Sequence, residues 1–485
     1  MKRIRIILFL LLFSLPNINA QKNGFSYDLG SSAGYITPGH VPFWLRSNQF
    51  GSIPIDNASL SLIGAIHKDY DKSRTRIFDW GASVEGRANI GDKSNFTLIE
   101  GYAKVRLSIF EIRAGRSKEI MGLCDTSLSS GAWAVSGNAL GIPKVQISIP
   151  EFYTLPILGK LFAFKGNFAH GWIGKTPFMN LDSNLLYPRT YIHQKSLYGR
   201  FGKPEWKWKL YGGFNHQVLW GSEKYTYGDS FTLSPFMTYL YVITGRGWNG
   251  SRMGDELGSI DLGAEYAFKN VKVLAYRQNL YDAGALFHLA NLRDGLNGFS
   301  LTNLNHQSKK FKWKKLLIEI LYTKNQAGEP WSKVTPSGDE NYFNHYQYIQ
   351  GWSYKGIGIG NPFITTRAYT REGLPADPSD YFINNRVVAF HFGFEGSLQK
   401  WDYILKASYS MNYGTFSTSE EGTSMGTIRY PPMYGIFPET KQFSAYLDAN
   451  RELKNRLYIG FNGAFDVGEL YYNSFGLLVR VGKAF

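Results

Sequence analysis

The segment FGLLVRVGKAF, residues 475–485, decides the fold. Its odd positions hold Phe475, Leu477, Val479, Val481, Lys483 and Phe485, and its even positions Gly476, Leu478, Arg480, Gly482 and Ala484. Side chains of a strand point alternately to two faces, so one apolar row at period two predicts a strand with a lipid or core side. The stretch before it repeats the pattern. Leu457, Ile459, Phe461, Gly463, Phe465 and Val467 share one face, and Arg456, Tyr458, Asn462 and Asp466 share the other. In water such an apolar row needs a second sheet. In a membrane, lipid covers it and the polar row lines a wet lumen. Phe485 itself is an aromatic residue of the kind read by the outer-membrane assembly machinery, and is expected to be the assembly signal.

Working outward, the same alternation recurs with more noise. Ala82, Val84, Ala88 and Ile90 oppose Ser83, Glu85, Arg87 and Asn89, and Ile99, Ala103, Val105 and Leu107 oppose Glu100, Tyr102, Lys104 and Arg106. Phe162, Phe164 and Phe168 oppose Ala163, Lys165 and Asn167, and Phe443 to Ala449 oppose Ser444 to Asn450. No fixed-period repeat or linker divides the chain. The expected fold is all-β: one transmembrane antiparallel barrel over residues 21–485. At ~10 residues per strand plus turns and loops, that length fills about 18 strands.

The other end of the chain sets the compartment. Lys2, Arg3 and Arg5 precede an apolar run from Ile6 to Leu15, then Pro16 and a small residue at Ala20 before Gln21. Basic, apolar, then small is the order of a secretory signal peptide, so residues 1–20 are expected to be removed between Ala20 and Gln21. The apolar run is too short for a spanning helix. With mean hydropathy −0.25 and 16% aromatic residues, the remainder suits alternating strands better than membrane helices. Cys124 is the only cysteine, which excludes an intramolecular disulfide and any thiolate metal cluster. Net charge is +15, of which Lys2, Arg3 and Arg5 leave with the leader. The basic surplus favours anionic partners. For an exported protein these are acidic polysaccharide, outer-membrane lipid and lipopolysaccharide, and no nucleic-acid motif is seen.

Several stretches do not alternate and are expected to be long outer loops or an inward plug: residues 122–156, 328–354, 371–385 and 417–441. The second contains Trp331, Tyr342, Tyr346, Tyr348, Trp352 and Tyr354 among Asp, Glu, Asn, Gln and His. Sugar rings stack on aromatic faces while polar neighbours bond hydroxyls, so these six are glycan-binding candidates. The competing role for each ring is the interfacial aromatic girdle. His193, Lys195, His216 and Trp220 sit on two neighbouring strands, where His193 and Lys195 share a face and are expected to reach the lumen.

The nine histidines include no H-x-x-x-H or H-E-x-x-H spacing, so no metal site or cofactor is expected. No G-x-S-x-G elbow or P-loop occurs. Ser129 or Ser136 with a distant His216 would be needed for a hydrolase; serines in Gly-rich stretches are more often turn residues.

The chain resembles the Wzi-type capsule assembly family of outer-membrane proteins, in the form found in Bacteroidetes. The resemblance is carried by Pro42-Phe43-Trp44-Leu45 with Asn48 and Gly51, by Arg113-Ala114-Gly115-Arg116 running into Gly122, and by Ser130-Gly131. It continues through Ser136-Gly137-Asn138-Ala139, Ile149-Pro150, His193-x-Lys195 and His216-x-x-x-Trp220-Gly221. It implies an eighteen-stranded barrel that holds capsular polysaccharide at the cell surface in a lectin-like, non-enzymatic way. Trp44, Arg113, Arg116, Asn138, His193, Lys195, His216 and Trp220 are then structural motif residues. The expected protein is a monomer in the bacterial outer membrane whose 328–354 loop meets the glycan; the alternatives are a porin-like diffusion channel and an outer-membrane hydrolase.

Overall fold

A computed structural model describes residues 24–485 apart from 55–56, 72–76, 92–93, 283–287, 306–309, 330–337 and 426–427. The expected leader and its Ala20–Gln21 cut lie outside the described residues, as does Trp331.

Eighteen antiparallel strands each pair with their neighbour in sequence, and the last closes on the first. They are β1 (Phe25–Ile36), β2 (Ala58–Lys68), β3 (Phe78–Ile90), β4 (Asn95–Leu107), β5 (Phe110–Arg116), β6 (Lys144–Thr154), β7 (Phe162–Lys175), β8 (Arg189–Phe201) and β9 (Trp208–Trp220). There follow β10 (Asp255–Ala267), β11 (Val271–Tyr281), β12 (Gly295–Asn303), β13 (Phe311–Tyr322), β14 (Val387–Leu398), β15 (Trp401–Asn412), β16 (Thr440–Glu452), β17 (Leu457–Gly468) and β18 (Ser474–Ala484). Closure leaves no unpaired edge, which a bilayer demands. The rows read from sequence face as expected: Phe475, Leu477 and Val479 of β18 are exposed outward, while Arg480 turns into the lumen and bonds Asp448 (2.8 Å).

Two sequence expectations are corrected. Residues 144–154, counted with a loop, form β6. Val145 and Ile147 face out and Lys144, Gln146 and Ser148 face in, a true alternation hidden between Pro143 and Pro150. In β4, a bulge opposite Glu85/Gly86 buries Ile99 and gives the outward place to Leu98.

Strand ends differ sharply. One end carries tight turns, such as Gln399–Lys400 with both residues at positive φ, and an outward ring of aromatics including Phe78, Trp80, Phe110 and Trp208. The other end carries every long connection, which marks it as extracellular. Three of these connections turn inward. Residues 37–57, 117–143 and 338–386 meet in an apolar core built on Phe43, Trp44, Trp133, Phe343, Trp352 and Phe382, each no more than 1% exposed. The chain leaves β5 for this plug at Gly115 (φ +125°), where a Cβ would lie 2.2 Å from the Gly101 oxygen. The plug hangs from lumen-facing carboxylates. Glu319 accepts from Ser129 Oγ (2.7 Å), Ser130 N (2.6 Å) and the Tyr276 hydroxyl, and Asp261 accepts from Leu123 N (2.7 Å). Gln278 and Gln217 add bonds to Trp133 N and Ala134 O (each 2.9 Å).

Candidate functional site

The outer surface of the plug meets the wall of β2–β4 at a cleft of about 420 Å³. Arg46, Asn57, Asn89, Asn95, Asn138 and Tyr369 line it, with Ile53 and Ile357 supplying apolar wall. Each residue is placed by a separate local cause. Pro42 precedes a single helical turn, Phe43–Arg46, whose first N–H donates to Asp466 Oδ2 of β17 (2.7 Å). Trp44 drives into the core and donates from its indole N–H to Ser408 Oγ (3.1 Å), which swings Arg46 to the opposite side. Asn138 is held by Asn48 N (3.2 Å) and by its own bond to Gly358 O (3.0 Å). Asn89 and Asn95 cap the β3–β4 hairpin and bond each other (2.8 Å).

Arg46 dominates the cleft electrostatically. Its guanidinium carbon stacks 3.8 Å from the Tyr369 ring centre and lies 5.5 Å from Phe43 and 5.4 Å from Tyr471. Its Nε is buried without a hydrogen-bond partner, and among the described residues no carboxylate forms an ion pair with it. A cation held on aromatic faces, in a cleft that Asn57 and Asn95 also line, suits an oxygen-rich anion.

The expected site residues are mostly elsewhere. Tyr342 and Trp352 are fully buried, and Tyr348 and Tyr354 nearly so. Tyr342 donates to Asp294 Oδ2 (2.7 Å), and Tyr354 accepts from Arg116 Nη2 (2.9 Å). Rings with no free face cannot stack on a sugar, so these four build the plug; among the described candidates only Tyr346, 69% exposed, keeps a face outward. Deleting 328–354 would therefore remove core rather than a surface loop. Arg113 faces the lumen and pairs with Glu119 (2.8 Å).

His193 and Lys195 do not face the lumen. They and His216 lie on the outward wall, beneath the helix Pro235–Thr244, and Lys195 Nζ donates to Ile243 O (2.8 Å). Trp220 packs there too, against Tyr239 (5.4 Å). His216 is thus separated by the wall from Ser129 and Ser136, which are buried inside on Glu319 Oε1 (2.7 Å) and Gly360 O (2.6 Å). The pairing of Ser129 or Ser136 with His216 is not assembled.

The outer loops share a pH response. Asp294 accepts from Asn325 N (2.9 Å) and Gln326 N (2.7 Å), and Asp380 accepts from Asn341 Nδ2 (2.8 Å) and Thr415 Oγ1 (2.9 Å). Burial pushes both carboxyls up, each to about 6, against hydrogen bonds that favour the charged form. A raised carboxyl favours the protonated folded state, so loop stability is full below the unfolded pKa and falls as pH rises from about 4 to 6. The Asn325 and Gln326 amides are expected to be better protected at pH 4.5 than at pH 7.5, by up to a few kcal/mol. Hydrogen exchange corrected for intrinsic rates measures this; equal protection would refute it.

The family model for the capsule assembly protein Wzi matches residues 63–366, more than half of the chain. Among solved structures, the chain is similar to Wzi of Escherichia coli, an outer-membrane protein involved in group 1 capsule assembly and described as a carbohydrate-binding β-barrel. The TM-score is 0.56 at 11% identity, covering 96% of this chain and 85% of that one. OprD of Pseudomonas aeruginosa follows at 0.46 and 10%, covering 95% and 94%, and OccAB4 of Acinetobacter baumannii at 0.45 and 8%, covering 96% and 100%. No curated protein matches in sequence.

Proposed function

Because this chain belongs to the Wzi capsule assembly protein family, we propose that it holds exported acidic polysaccharide at the outer surface, in the cleft between Arg46 and Tyr369. The observation that carries this is the Arg46 guanidinium, stacked on Tyr369 and in no ion pair with a carboxylate among the described residues. A uronate carboxylate would give Arg46 an ion-pair partner, and Asn57 and Asn95, which line the same cleft, would bond ring hydroxyls. The E. coli protein's description as carbohydrate-binding supports the ligand class. Repeated weak contacts along one polymer give retention by avidity. The role is binding without catalysis in a single closed barrel, a view supported by the wall between His216 and the two buried serines. The packed plug disfavours the diffusion-channel alternative.

Calorimetric titration with an oligouronate tests this. Arg46→Gln should weaken binding about 10- to 100-fold, the scale of one charge-assisted bond, and leave a neutral dextran oligomer unaffected. Tyr369→Ala should weaken it about fivefold by removing the platform. Unchanged oligouronate affinity in Arg46→Gln would remove the cleft from the account.

A further inference from the structure

Residues 221–254 leave the outer end of β9: Thr226 accepts from Gln347 of the plug (3.2 Å), and the later part folds back along the outside of the barrel. The helix Pro235–Thr244 lies over β7–β9, with Tyr239 5.3 Å from His170, 5.9 Å from His193 and 5.4 Å from Trp220. The height of that helix follows from the strands. An apolar band ~25 Å tall spans about ten residues of a strand tilted near 40°. Counted from Trp208 in the aromatic ring, ten residues reach Val218. His216 and its cross-strand partner Lys195, and His193 opposite Val218, therefore fall within the band on the outward side of the wall. What hides these polar groups is the helix, so the helix occupies the outer leaflet.

Its far side fits that place. Phe236 is 68% and Met237 38% exposed, with Leu240 one turn on, on the side away from Tyr239 and the wall. Cations edge this apolar face. Arg189 and Lys175 are exposed and directly opposite one another on β8 and β7, a like-charge pair that a sheet tolerates poorly without an anion. Lys224 and Arg246, within the 221–254 segment, are also exposed. None of these four forms an ion pair among the described residues; the exposed acids of the same loops are Asp182 and Asp229.

We propose that this outer flank is a docking surface for a phosphorylated glycolipid of the outer leaflet. Phe236, Met237 and Leu240 meet its acyl chains, and Lys175, Arg189 and Arg246 meet its phosphates. The surface is separate from the glycan cleft and stands or falls independently of it.

The full chain in phosphatidylcholine vesicles, with diphosphoryl lipid A or its dephosphorylated form, tests the assignment. A nitroxide on Phe236→Cys should be open to oxygen and closed to a water-soluble relaxer. Fluorescent lipid A should bind at least tenfold more weakly to the triple variant Lys175→Gln, Arg189→Gln, Arg246→Gln, and dephosphorylated lipid should bind wild type equally weakly. A water-exposed nitroxide overturns the proposal. So does an immersed nitroxide with phosphate-independent binding, which makes the helix a bilayer anchor alone, or a second protein found seated on Phe236.

Discussion

The double substitution Glu319→Ala, Asp261→Ala is expected to turn a non-conducting barrel into a conducting one. Both carboxylates are buried on the lumen wall, and each holds plug backbone: Glu319 through Ser130 N (2.6 Å) and Asp261 through Leu123 N (2.7 Å). Glu319 also accepts from Ser129 Oγ and Tyr276, and Asp261 from Tyr198 (3.0 Å) and Asn215 (3.0 Å). Alanine at both sites strands several buried donors. Breaking one buried charged node costs about 3–5 kcal/mol, so the pair removes most of what a single plug segment can hold. The strands themselves keep their ladder and their lipid face, so the barrel persists. In planar bilayers, wild type should show no steady steps and the double variant large, flickering ones. Currents identical to wild type would mean that the plug is held without these two carboxylates.

Trp44→Ala should have a comparable effect on stability and a less obvious one on binding. The indole is 1% exposed, packs against His391 (5.0 Å) and Phe43 (4.8 Å), and bonds Ser408. Removing a buried aromatic of this size costs about 3–5 kcal/mol. The turn Phe43–Arg46 has no side-chain cap of its own and relies on Trp44 and Asp466 for its position. Arg46 should therefore leave Tyr369, and oligouronate affinity should fall as far as in Arg46→Gln although Arg46 is intact. Trp44→Phe, which keeps the apolar body, should retain most of both. Titration and thermal unfolding of the three variants check this; a destabilised Trp44→Ala with wild-type affinity would uncouple core from cleft.

Much of the barrel is legible in the sequence because lipid outside and water inside impose a two-residue period. That is why β17 and β18 could be assigned to faces residue by residue, and why the chain length leads to about 18 strands. The failures share a cause: places where lipid or water is not what the side chain meets. His193, Lys195 and His216 look like lumen residues because they are polar, yet a loop shields them on the lipid side. Tyr342 and Trp352 look like sugar platforms because they sit among polar residues, yet they are the plug's core. β6 was obscured by Pro143 just before it and Pro150 within it. The cleft itself carried no local signal. Arg46, Asn57, Asn95, Asn138 and Tyr369 are far apart in sequence, and three inward-turning segments and one hairpin bring them together. The Phe43-Trp44-Leu45 motif, Gly51 and Asn138 of the Ser136–Ala139 motif marked its neighbourhood.

The most direct measurement of the central claim is a structure of the full chain with a bound oligouronate. The expected result is a uronate carboxylate on Arg46, still stacked on Tyr369, with the sugar in the outer cleft beside Asn57 and Asn95. Sugar bound in the lumen, or over Tyr346 with the cleft empty, would contradict it.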